Sequence, residues 1–91
     1  MTQPLAGKLI LIVEDEAVFR SLLHSWLTSL GATTVQAGDG VEALQKMAES
    51  KPDLMICDIS MPRMNGLELV EQLRNRGEKL PILMISATEN M

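Results

Sequence analysis

Leu54-Met55-Ile56-Cys57 is apolar at every position, and the run stops at a carboxylate, Asp58. A strand with one wet face alternates apolar and polar residues. A short run with no polar member suits a strand covered on both faces, as in a parallel sheet held between two layers of helix. Open α/β sheets bind their ligands outside the carboxyl ends of the strands, which is where Asp58 falls. A loop containing proline follows, Ser60-Met61-Pro62-Arg63-Met64, and Asn65-Gly66 leads into a helical pattern.

The rest of the chain repeats this alternation. Lys8 to Val13 (KLILIV) reads as strand one, and the acids Glu14-Asp15-Glu16 come directly after it. Phe19, Leu22, Leu23, Trp26, Leu27 and Leu30 recur at helical spacing, and Gly31 ends that helix. Thr33 to Ala37 (TTVQA) is short and β-branched, a second strand. Asp39, in Gly38-Asp39-Gly40, is placed to cap a helix carrying Val41, Leu44, Met47 and Ala48, and Pro52 closes that region. Strand three is Asp53 to Asp58. Helix three runs from about Asn65 to Arg76, with Leu67, Leu69, Val70 and Leu73 expected inward and Gly77 as its stop. Pro81 to Ser86 (PILMIS) reads as a fourth buried strand.

The order βαβαβαβ predicts a three-layer α/β fold, a doubly wound parallel sheet with right-handed crossovers. Two doubly wound orders are common, and in the flavodoxin-like one strands one and three are neighbours, giving the order 2-1-3-4. Glu14, Asp15 and Asp58 then meet at one edge of the sheet. Their mutual repulsion would raise a pKa or strain the loops unless a cation relieves it. Oxygen-only ligands in small number suit Mg²⁺, which keeps several waters and often joins carboxylates to a phosphate. With a single histidine (His24) and a single cysteine (Cys57), the chain offers no zinc set.

A carboxylate can attack phosphorus to give an aspartyl-phosphate, and a metal can neutralise the transferred group. Asp58, ending the central strand, is the nucleophile candidate. Ser86, ending strand four, is placed to hydrogen-bond a phosphoryl oxygen. Each residue has a plainer reading: loop capping for Asp58, an ordinary strand-end serine for Ser86, and helix N-terminal acids for Glu14-Asp15-Glu16. The grouping at the ends of strands one, three and four is what favours the chemical reading. His24 and the methionines read as an ordinary helix residue and core filler, and Cys57 as a small buried residue.

These residues carry a family likeness. The acidic pair Glu14-Asp15 with Arg20 beyond it, the run Asp58-Ile59-Ser60-Met61-Pro62-Arg63-Met64-Asn65-Gly66, and Ser86-Ala87 resemble the receiver domain of bacterial two-component response regulators, with its CheY-like fold. The resemblance covers residues 8 to 91 and takes the whole chain as one receiver. It implies that Asp58 is the phosphoacceptor and Ser86 the switch hydroxyl. It also implies Mg²⁺ held by the Asp15 and Asp58 side chains and the Ser60 backbone carbonyl, with Glu14 acting through a bound water. The implied phosphate source is a histidine kinase or a small phosphodonor, and the implied role is signalling rather than enzymatic turnover. A narrower likeness, to adaptor-type regulators, implies a longer protein that hands the stationary-phase sigma factor RpoS to the ClpXP protease. A complete receiver also has a fifth strand, a lysine after it and further helices, none of which lies in these residues. An apolar flank on helix one and an open edge on strand four are therefore expected.

Composition sets the limits. A chain of 91 residues has room for one domain, and 46% apolar residues can supply its core. The net charge is −4, and the Lys and Arg residues are scattered, so direct nucleic-acid binding is not expected. No apolar run approaches the roughly 18 residues of a membrane span. Met1-Thr2-Gln3-Pro4-Leu5 lacks the character of a signal peptide, and one cysteine excludes an internal disulfide, so a cytoplasmic setting is expected. A phosphatase of the haloacid-dehalogenase type would need Asp-x-Asp, which neither Glu14-Asp15-Glu16 nor Asp58-Ile59-Ser60 provides. A flavin binder would want a Ser/Thr/Gly-rich loop where the acids stand. A receiver with a DNA-binding output, or with none, remains an alternative.

Overall fold

The computed structural model describes residues 3–61 and 63–86. Its elements run β1 (Leu9–Val13), α1 (Ala17–Ser29), β2 (Thr33–Ala37), α2 (Gly40–Ser50), β3 (Leu54–Asp58), α3 (Gly66–Asn75) and β4 (Ile82–Ile85). The four strands form one parallel sheet, as the alternation predicts, in the order β2-β1-β3-β4, which is the flavodoxin-like of the two doubly wound orders. Lys8, Asp53, Pro81 and Ser86 flank the strands rather than extending them, and α1 starts ahead of Phe19.

The uniformly apolar runs are explained by two cores, one on each face of the sheet. Ile10, Ile12 and Ile56 pack with Leu27 and Ala32 on the α1 side. Leu11, Val13, Met55 and Cys57 point the other way, against Ala43, Met47, Leu69 and Leu73 of α2 and α3. The side chains of Ile10 to Val13 and of Leu54 to Cys57 thus have apolar neighbours whichever way the pleat turns them. Each fully buried Leu or Ile contributes about 1.5–3 kcal/mol relative to exposure. Met47, Met55 and Met61 are buried in the second core, acting as filler.

Helical phase corrects part of the sequence reading. Leu67 is 62% exposed, not inward. It lies two residues before buried Leu69, about 200° around the helix at 100° per residue. α1 carries two apolar stripes. Leu23 and Leu27 join the core, while Val18, Leu22 and Trp26, one position out of phase, are exposed. They form the uncovered flank expected on that helix. β4 is half-buried rather than buried, with Leu83 exposed, and β3 is its one partner among the described residues. No helix among the described residues is long and apolar enough to cross a membrane.

Local signals fix the helix ends nearest the sheet's carboxyl edge. Asp39 caps α2, its Oδ1 accepting from the Glu42 N–H at 2.8 Å. α3 opens with a reciprocal capping box: Asn65 Oδ1 accepts from the Glu68 N–H, and Glu68 Oε1 from the Asn65 N–H. Gly77, at φ +84°, ends the helical turn beyond α3 as predicted. Gly66 is required for a different reason. A Cβ there would run into the Asp58 carbonyl oxygen and lie 2.8 Å from Met84 Cε and 2.9 Å from Ile59 Cα.

Gly66→Ala is therefore expected to lower stability by about 1–3 kcal/mol through overpacking against backbone. Gly38→Ala, whose Cβ would meet side-chain atoms at 3.5 and 3.6 Å, should change it by less than about 0.5 kcal/mol. Urea unfolding midpoints of the two variants check this; equal midpoints would contradict it.

Candidate functional site

Parallel pairing of β1 with β3 in the register Val13↔Cys57 carries both strands to their ends side by side. Glu14 follows Val13 and Asp58 follows Cys57, so the two carboxylates meet where the sheet stops. Glu14 is 0% exposed and Asp58 2%. Asp15, exposed at the rim, completes a cluster in which one carboxylate oxygen from each residue lies within 4.8 Å of the other two. The sequence reading named these three, and the fold brings them together.

Two buried acids with no cation beside them need explaining, because an unpaired buried charge is costly. Glu14 shows the cost. Its carboxyl is raised from the ordinary 4.5 to about 7, first by desolvation and further by the Asp58 charge, against the opposing Glu16 N–H. That N–H donates to Oε2 at 3.0 Å, while Oε1 is buried with no hydrogen-bond partner among the described residues. The helix does not account for the acids either. Glu16 stands at the N-cap of α1 but makes no side-chain cap bond, and the first turn contains no acid. An orphaned buried carboxylate oxygen among three hard oxygen donors fits Mg²⁺.

Asp58 is held from its own loop, Oδ1 accepting from the Ser60 N–H at 3.1 Å. Ser60 is thus next to the cluster and exposed. Ser86 is placed less directly. Asp58 is paired with Ile85, and the Ile59 N–H donates to the Ile85 carbonyl at 2.9 Å, so Ser86 stands one residue beyond the carboxylate's level, exposed. Ala87 and Pro62, quoted with the motif, lie outside the described residues. Cys57 is fully buried, its Sγ donating to the Asp58 carbonyl at 3.5 Å. Burial, then the Asp58 and Glu14 charges, push the thiol up to about 12. It is a core residue with no part in acid–base chemistry near neutrality.

Two features of the rim were not read from the sequence. Arg63 Nε pairs with Asp39 Oδ2 at 3.2 Å, tying the loop after Asp58 to the start of α2. Arg63 adopts φ +23°, a left-handed conformation that no residue preference announces. Beside it Met64 packs so tightly on Gly40 that a Cβ there would sit 2.7 Å from Met64 Cβ. The Asn65–Glu68 box did have a signal, an Asn followed three residues later by Glu, ahead of an apolar run.

The raised Glu14 pKa fixes a sign. Between about 4.5 and 7 the folded chain keeps a proton that the unfolded chain has lost. Stability therefore falls as pH rises through that window and levels off above it. In chelator, Glu14→Gln should flatten this segment of the stability profile. Parallel wild-type and variant profiles from thermal unfolding would contradict the assignment.

The family model of the response regulator receiver domain matches residues 10–91. The Regulator of RpoS of Escherichia coli strain K12 is 71% identical over 91 residues, which is 100% of this chain and 27% of that protein. The response regulator MprA of Mycobacterium ulcerans is 43% identical over 82 residues, 90% of this chain and 35% of that protein. The chain thus spans about a quarter to a third of the length of these relatives. Among solved structures, the response regulator TrrA from Thermotoga maritima in complex with Mg²⁺-BeF aligns with a TM-score of 0.84 and 36% identity, covering 90% of this chain and 71% of that one. Vibrio cholerae chemotaxis protein CheY4 aligns at 0.83 with 32% identity, covering 94% and 72%. The order 2-1-3-4, the carboxylate edge and these matches agree, and the chain belongs to the response regulator receiver domain family.

Proposed function

We propose that this chain is the phosphoacceptor part of a two-component response regulator, phosphorylated on Asp58 with Mg²⁺ as cofactor. The observation that carries the reading is the burial of Glu14 and Asp58 beside Asp15, with one carboxylate oxygen left unpartnered. Structural acids would have been capped or paired.

Asp58 Oδ1 accepts from the Ser60 N–H, which orients the carboxylate, and one of its oxygens is the nucleophile. That oxygen attacks the phosphorus of a phosphohistidine on a kinase or of a small phosphodonor. An O–P bond forms, the donor's P–N or P–O bond breaks, and the leaving group departs with the bonding pair and takes a proton from solvent. Mg²⁺ would be held by the Asp15 and Asp58 side chains, the Ser60 carbonyl and, through water, Glu14, and would neutralise charge on the transferred group. The Ser86 hydroxyl would then bond a phosphoryl oxygen. This is self-catalysed modification within a signalling domain, with no substrate turned over.

For the whole protein we take the 71% relative as guide. Phosphorylation would switch the affinity of a cytoplasmic adaptor for the sigma factor RpoS, and the adaptor would deliver that factor to the ClpXP protease. The likeness to MprA is lower, at 43%, so a different output, including a DNA-binding one, is the second choice. Neither nucleic acid nor membrane is a partner of these residues, whose net charge is −4.

Treatment of the full-length protein with a small phosphodonor and Mg²⁺ is expected to add one phosphoryl mass at Asp58, labile to base and hydroxylamine. Mass on Ser60 or Ser86, or labelling that survives Asp58→Ala, would refute the assignment. In the full protein the phosphoryl group brings a charge of about −1.5 to −2 while the carboxylate it blocks gives up its own, a net gain of about one negative charge or less. It should shift partner affinity by about 5- to 150-fold, the usual range of allosteric coupling. Equal affinity of phosphorylated and unphosphorylated protein would leave a constitutive adaptor.

A further inference from the structure

Arg20 sits in the first turn of α1, where the positive end of the helix dipole disfavours a cation. Its side chain instead folds back on the strand behind it. Nη1 donates to the Glu14 backbone carbonyl at 2.7 Å. It also lies alongside Gly38, 3.6 Å from where a Cβ on that residue would stand. Glu14 is thereby held at three points: its N–H donates to the Ala37 carbonyl at 3.0 Å, its Oε2 accepts from the Glu16 N–H at 3.0 Å, and its carbonyl accepts from Arg20.

The carbonyl bond reaches further than Glu14. The Glu14 C=O and the Asp15 N–H belong to one rigid peptide plane, so fixing the oxygen fixes the plane from which Asp15 hangs. Asp15 is the exposed member of the carboxylate cluster and has no core to hold it in place. The guanidinium suits the task through its reach and its fixed fork of donors.

We infer that Arg20 is a positioning residue for the cation site. By orienting the Glu14–Asp15 peptide it keeps the Asp15 carboxylate within reach of an ion shared with Asp58. This rests on the reading of the cluster as a divalent-cation site. A cation that acted only by its charge would have the opposite effect, since it repels a divalent ion and its removal would tighten binding. The sign of the change therefore separates positioning from plain electrostatics.

The test is Mn²⁺ binding to the full protein, followed by the paramagnetic signal of the free ion, with Mg²⁺ as competitor. Wild type is compared with Arg20→Ala, with Arg20→Lys, which keeps the charge, and with Arg20→Met, which keeps the aliphatic stem if the alanine variant does not fold. Binding about tenfold weaker in the Ala or Met variant, with Lys in between, is expected. The Asp15 amide resonance of the metal-free protein should also move. Unchanged or tighter binding in a folded variant overturns the role of Arg20, even if its melting temperature falls. A wild type that takes up no Mn²⁺ overturns the cation-site reading itself, and this role with it.

Discussion

The pairing of β1 with β3 is the constraint on which the site depends. These strands are far apart in sequence, yet the crossover sets them side by side in one register, Val13 against Cys57. The next residue on each is an acid, and the sheet ends there. Any other neighbour for β1, or a shift of one residue, would separate Glu14 from Asp58 or turn one of them to the opposite face. The two-sided core makes such a shift costly, because it would exchange Ile10, Ile12 and Ile56 with Leu11, Val13, Met55 and Cys57 across the sheet. The apolar packing therefore does more than stabilise the fold. It sets two like charges at the same level and keeps water from them, and the raised Glu14 carboxyl records the result.

Around that pair the molecule assembles its rim from backbone devices. Three loops converge at the carboxyl edge. Arg63 ties the loop after β3 to the cap of α2, while Arg20 closes the β1–α1 turn onto the end of β1 and Gly66 brings α3 hard against the Asp58 carbonyl. The acidic edge is thus held by short, local backbone and side-chain contacts rather than by a core of its own.

Much of this was legible in the residues, and the boundary of legibility is physical. β1 and β3 announced themselves because burial on both faces leaves no polar position, and the three carboxylates followed from topology. Phase was harder. In α1 and α3 apolar residues occupy more of the helix than the core covers, and spacing alone does not say which stripe turns inward. Leu67 was therefore assigned wrongly, and Leu22 and Trp26 could not be separated from Leu23 and Leu27. The Asp39 cap was readable from its residue type, whereas its pairing with Arg63 depends on the path of a loop that adopts a positive φ at a non-glycine residue. Lys51, left-handed at the end of α2, was invisible for the same reason.

Cys57 has a consequence of another kind. It is the one thiol of the chain, fully enclosed in the β3 core, and its proton is held up to about 12. Reagents that need an exposed thiolate have no target while the sheet is closed. Alkylation of the native chain can then proceed only through openings that expose β3, and its rate becomes a clock for them. Because Cys57 adjoins Asp58, that clock reads the part of the sheet directly beneath the carboxylate cluster. Slower labelling with cation or phosphoryl group bound would measure, without any introduced probe, how far the site's occupancy closes the strand beneath it.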